Sequence, residues 1–341
     1  MTGGFDSTGG TASIATVTDR VKPVELAGAV AAVHFLGSVA AFVGDEETVT
    51  LVTPEGEATQ LPLHAGAVLC VASDGRRVVT GGDDGKVVQL SQNGEVSTLV
   101  TDPRRRWIDN VALHADGAVA WSAGKTAYVR SGKGEEKSHE VKSTVGGLAF
   151  APKRLRLAIS HYNGVTLWFP NMAAAAEGLE WAGSHLGVTF SPDNKFLVTA
   201  MHEPALHGWR LEDGKDMRMS GYPAKPRSLS WSAKGRFLAT SGANAAVLWP
   251  FHHKDGPQGK PPLQLGAREV LVTRVACHPK EELLAIGYQD GMVMAVRFAD
   301  AEEVLLRRPG GGPVSALAWD DRGGRLAYGT EEGAAGIVTI A

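Results

Sequence analysis

Eight times along its length this chain repeats one pattern. A short alternating run ends in a large residue, a tight polar turn follows, then a second apolar run, another turn and a third run. The residues closing the first run are Phe35, Val71, Leu113, Phe150, Phe190, Trp231, Cys277 and Trp319, spaced 36 to 46 positions apart. Self-similarity at such a period marks an architecture in which one unit cannot bury its own faces and neighbours must stack. The clearest copy is Ser228–Trp249, SLSWSAKGRFLATSGANAAVLW. Leu229 and Trp231 alternate with serines, and Phe237-Leu238-Ala239 and Val247-Leu248-Trp249 follow across two turns. Side chains alternate across a strand, so the stretch reads as three short antiparallel strands.

The turns recur with the strands. Ser73-Asp74-Gly75, Ala115-Asp116-Gly117, Ser191-Pro192-Asp193-Asn194, Ala233-Lys234-Gly235 and Asp321-Arg322-Gly323 follow the first strands. Each carries Gly, Asn or Asp where a turn needs positive φ. A net charge of −3 gives no electrostatic reason to expect nucleic acid or an anionic membrane as partner. No apolar run reaches the roughly 18–20 residues that span a bilayer. Residues 1–13, MTGGFDSTGGTAS, lack a basic start and an apolar stretch, and read as a flexible tail rather than a secretory signal. Cys70 and Cys277 fall in first strands and read as buried thiols of a reducing, cytoplasmic setting.

Spacing near 40–45 residues, the Ser-Pro-Asp and Asp-Gly turns, and a tryptophan late in the third strand (Trp168, Trp209, Trp249) make residues 14–341 resemble the WD-repeat (WD40) β-propeller family. The repeats are degenerate. Phe169, Arg210 and Pro250 stand where the family has Asp after Trp, and the usual Gly-His pair survives as lone histidines, His64 and His185. The family's internal His–Ser/Thr–Asp–Trp hydrogen-bond set is complete in no unit. The resemblance implies an all-β fold, one ring of four-stranded antiparallel blades. Counting units gives eight blades, with seven, the family's commoner number, as the alternative. The outer strand missing after the last unit is expected from Asp19–Leu26, DRVKPVEL, whose Pro23 suits an edge strand.

No nucleophile elbow, zinc-protease, phosphate-loop or Cys-x-x-Cys signature is present, so an enzyme is not expected and neither is a cofactor. Loops leading into units from the preceding outer strand are basic: Arg104-Arg105-Arg106 beside Trp107, Lys225 with Arg227, Arg268, and Arg307-Arg308. Turns between second and third strands are acidic: Asp45-Glu46-Glu47, Asp83-Asp84, Asp290 and Glu331-Glu332. On a propeller both sets fall on one face. Mutual pairing on a solvated surface accounts for such charges, and so does a recognition rim, where Arg and Trp dominate binding hot spots. The expectation is a non-catalytic scaffold that binds another protein or complex through that face. The alternative is a metal- or small-ligand-binding propeller using His161, His185 and His202 on the same face, since imidazole suits Zn²⁺ or Ni²⁺.

Overall fold

The computed structural model describes residues 14–340; the expected tail at 1–13 lies outside them. Among these residues the chain is built almost wholly of short β-strands, with one 3-10 turn at Thr18–Arg20. The sixth unit shows the pattern. Leu229–Trp231, Phe237–Thr240, Ala246–Pro250 and Leu263–Leu265 pair in sequence order into one antiparallel sheet. Local chemistry sets the turns. In the second unit the Asp74 carboxylate accepts the backbone N–H groups of Arg76 and Arg77, both at 3.0 Å, and Gly75 takes φ 79°. In the fifth, the Ser191 hydroxyl accepts the N–H groups of Lys195 and Phe196, and Asn194 takes φ 63°. Asn tolerates that region better than most residues.

The expectation of eight four-stranded blades is corrected. The described residues form seven hydrogen-bonded sheets: five of four strands, one of five and one of six. The six-stranded sheet takes in both the fourth and the fifth sequence units. Its strands Leu157–Trp168 and Glu177–Phe190 run through positions where other units have a turn or a loop. Leu157–Trp168 folds back at Asn163 (φ 68°) and Gly164 (φ 144°), so that His161 Nε2 lies 2.9 Å from Thr166 Oγ1. In a straight strand, residues five apart would sit about 16 Å from each other. Glu177–Phe190 pairs through its first part with Val165–Leu167 and through its last with Val198 and Leu197. One strand thus serves two units, and counting units overcounts sheets.

Among the described residues no sheet closes on itself through hydrogen bonds. Val21–Val24 lies antiparallel to Ala335–Thr339 and supplies the outer strand of the last unit's sheet. Ala15–Thr16 adds a parallel fifth strand beside Glu303–Arg307. The first and last units meet by packing: Val30, Val33 and Phe35 bury against Ala316, Ala327 and Ile337. The Ser315 hydroxyl donates to the Val30 carbonyl at 2.6 Å across the same seam. Side-chain hydroxyls bridge other neighbours too, from Thr273 to the Val314 carbonyl at 2.7 Å and, out of a second strand, from Ser160 to the Leu186 carbonyl at 2.7 Å.

The core is divided into apolar clusters that each span two consecutive units. The seams need small residues near the end of the second strand. Gly81, Ser122, Ser160, Ala200, Ser241, Gly287 and Gly329 occupy that place, with Val43 in the first unit. A Cβ on Gly329 would come within 2.5 Å of the Val30 side chain, and one on Gly287 within 2.5 Å of Val314. Cys70 and Cys277 are unpaired, and burial pushes both thiols up to about 12.

Candidate functional site: the loop face

The lead-in loops and the turns between second and third strands meet, which puts them on one face. Asp102 donates its N–H to the Gly85 carbonyl at 2.8 Å, and Gly310 donates to the Asp290 carbonyl at 2.7 Å. At Gly85, with φ 78°, a Cβ would lie 2.9 Å from Arg105 Cα, so the acidic turn Asp83-Asp84-Gly85 presses against the arginine loop. Glycine is required there both for the backbone and for the close approach.

The nine side chains expected to bind a partner divide into two groups. Some are spent on holding the face together. Asp102 is buried and accepts the N–H groups of Arg104 and Arg106 at 2.9 and 3.2 Å, while Arg106 Nη2 donates to it at 2.6 Å. Arg106 Nη2 also donates to the Tyr128 hydroxyl at 2.9 Å, and Tyr128 stacks on Trp121. Burial by itself would raise the Asp102 carboxyl; the bonds from Arg106 and Arg104 outweigh it and hold the group below the usual carboxylate range. Arg268 pairs with Glu303 at 2.6 Å. Arg307 donates to the Gly310 carbonyl at 2.8 Å and lies over the Tyr328 ring. Lys225 Nζ sits 3.1 Å from His202 Nδ1.

The others face solvent. Arg104, Arg105, Arg227 and Arg308 are exposed and have no ion-pair partner among the described residues. Trp107 is 62 % exposed. Three further exposed apolar side chains share its side of the ring: Leu69 and Leu186 near the start of first strands, and Tyr162 at the fold-back turn. This apolar complement is not marked by any charge pattern. Periodicity alone would assign Leu69 and Leu186 to the core.

The three candidate metal ligands are engaged separately. His161 Nδ1 meets the Tyr162 carbonyl and Nε2 the Thr166 hydroxyl, both at 2.9 Å. His185 bonds the Thr199 hydroxyl at 2.7 Å and the Trp181 carbonyl at 3.0 Å. Among the described residues no group of three or more His, Cys, Asp or Glu is placed to hold a metal ion. A cleft of about 830 Å³ does open beside His161, lined also by His139, Tyr162, Thr166 and Trp181.

One hydrogen-bond network inside the second unit was not legible as a set. His64 Nδ1 lies 3.0 Å from Asp84 Oδ1, and its Nε2 2.8 Å from Thr80 Oγ1. It ties the lead-in loop to the second strand and the acidic turn. Leu90 stands in the third strand where a tryptophan would complete the set. The sixth unit makes a related lock with Tyr222, whose hydroxyl contacts Thr240 Oγ1 at 2.7 Å and accepts from Trp249 Nε1 at 2.6 Å.

The stretch that carries His64, Thr80 and Asp84, residues 57–89, matches the family model described as WD domain, G-beta repeat. The chain thus carries a WD40 repeat. It is similar to WD repeat-containing protein 55 of Rattus norvegicus and of Mus musculus, 27% identical to each over 201 residues. Those matches cover 57% of this chain and 51% and 50% of the relatives, so the chain spans about half the length of the curated relatives it matches. Among solved structures, the computationally designed Ika8 protein aligns with a TM-score of 0.75 at 18% identity, covering 93% of this chain and 98% of that one. That likeness concerns the fold alone. No helix among the described residues is long and apolar enough to cross a membrane.

Proposed function

We propose that this WD40 propeller is a non-catalytic scaffold that captures a partner protein on the loop face described above. The observation that carries the reading is Trp107, exposed beside Arg104 and Arg105 on a loop that Asp102 and Arg106 hold rigid. A large aromatic presented on a pre-ordered loop binds with little ordering entropy. The free arginines add orientation and association rate more than affinity. The unpaired thiols of Cys70 and Cys277 support a cytoplasmic setting, which belongs to the same proposal.

The test is affinity capture from native cells with three baits: the wild type, Trp107→Ala with Arg105→Ala, and Lys254→Ala with Lys260→Ala from the opposite face. A protein retained by the wild type and the lysine variant, and lost by the Trp107 variant, supports the reading. The reverse pattern places the site on the other face. A second reading, small-ligand binding, rests on the cleft beside His161 and Trp181. Capture that survives Trp107→Ala and fails with Tyr162→Ala would favour that region of the face.

A further inference from the structure

The opposite face, formed by the turns between first and second strands and the loops after third strands, carries a cavity of about 680 Å³ spanning the fourth, fifth and sixth units. Six cationic side chains line it: Arg156, Lys195, Arg210, Lys234, Arg236 and Lys254. His252 and His253 stand at its edge with their rings 4.1 Å apart. Phe196 and Phe251 form an apolar wall, edge to face at 5.2 Å.

Carboxylates are present too, and their placement matters. Arg210 is gripped by Asp213 and Asp255, and Arg156 by Glu177 at 2.6 Å. Lys195 meets Asp193 at 3.2 Å, and Arg236 meets Glu282 at 3.5 Å. Asp193 and Glu212 themselves line the cavity. These pairs fix the guanidinium groups in position. Lys234 and Lys254 have no such partner among the described residues, and neither has Glu212. His253 is held below the ordinary imidazole range, by desolvation first and then by His252 and Lys260.

A second observation concerns two residues of the same cavity. Arg156 Nε and Asn194 Oδ1 are buried without a hydrogen-bond partner, and both residues line this cavity. Buried polar atoms are nearly always satisfied, so this pair beside the cavity leaves a donor and an acceptor without partners. The Asn194 amide can be turned to offer its donor instead. We infer that this cavity binds a small anion carrying two or more phosphate groups, with Lys234 and Lys254 as its principal charge partners and Arg156 as a donor. Planar guanidinium groups and free ammonium groups together suit phosphate oxygens. The volume lies in the range of small-molecule sites. Both a free oligophosphate and the phosphate chain of a nucleotide have this chemistry.

The experiment is isothermal titration of the full chain with tripolyphosphate, with ATP, and with citrate at matched ionic strength. Tripolyphosphate is expected to bind, and Lys234→Ala with Lys254→Ala to weaken it at least tenfold. Arg104→Ala with Arg105→Ala, on the other face, should leave it unchanged. ATP binding more tightly than tripolyphosphate assigns the site to nucleotides; equal binding assigns it to the phosphate chain alone. Absence of binding by both probes overturns the inference. So do equal affinity for citrate, binding unaffected by loss of both lysines, or a loss confined to the Arg104/Arg105 variant.

Discussion

Moving bulk across the seam between the last and first units tests whether packing there closes the ring. Gly329→Ala puts a methyl 2.5 Å from Val30 Cβ and Cγ1 and 2.8 Å from Cγ2. Carbon atoms prefer about 3.5–4.0 Å, so the seam must open by about 1 Å. Overpacking of that kind costs about 1–3 kcal/mol. Val30→Gly empties the other side. Three carbons at about 0.8 kcal/mol each, with cavity and glycine terms, bring its cost to about 3–4 kcal/mol. Were the effects independent, the double variant would lose about 4–7 kcal/mol. Because both side chains claim the same space, the double variant should lose no more than Val30→Gly alone, a coupling of about 1–3 kcal/mol. Urea unfolding of the four proteins measures it, with Gly324→Ala as a control, since nothing lies within 4 Å of a Cβ there. Additivity within about 0.5 kcal/mol would refute the argument, because it would mean that the two positions do not share a rigid seam.

Three further outcomes follow. Asp102→Ala should destabilise by about 1–3 kcal/mol, since it removes a buried acceptor of charged and backbone donors, and limited proteolysis should then cut within the loop at 103–107. Stability should be flat above about pH 6.5 and fall below it. Burial pushes His34 and His207 down to about 4, so between 6.5 and 4 the unfolded chain takes up protons that the native state refuses, at about 1.4 kcal/mol per pH unit for each of the two. Urea midpoints at pH 7 and pH 5 for wild type and His207→Phe check this; an unchanged slope in the variant would remove His207 as a cause. Trp107→Ala should alter stability by less than about 0.5 kcal/mol, whereas Trp209→Ala, at 2 % exposure, should cost about 3–5 kcal/mol in the same assay.

Strand positions were readable because apolar alternation and turn chemistry act locally. Phe237–Thr240 lies where the run Phe237-Leu238-Ala239 places it, and Asp74 and Ser191 bond the backbone within their own turns. Sheet boundaries were not readable. Whether Glu177–Phe190 breaks between two units or continues depends on how Trp181–Ser184 is pulled between partners far apart in sequence. The charged loops were legible as composition, and their division into structural and free arginines was not. Arg106 and Arg105 are adjacent and chemically identical, yet only one reaches Tyr128, on a strand of the next unit. The apolar part of the loop face escaped for the opposite reason. Leu69 and Leu186 obey the core pattern, and the ring leaves those two positions uncovered.

The pairing of Val21–Val24 with Ala335–Thr339 also orders events during synthesis. A chain emerging from the ribosome can stack its units one on the next as they appear. The sheet that holds Ala335–Thr339 cannot gain its outer strand until that segment has been made, and until then Val30, Val33 and Phe35 have no partner across the seam. The nascent protein is therefore an open arc with a sticky edge at its leading end and another at its growing end. A truncation that removes Ala335–Thr339 would leave that arc open for good. Two such arcs have complementary ends, so a truncated chain should appear as an oligomer joined at the seam rather than as a smaller monomer.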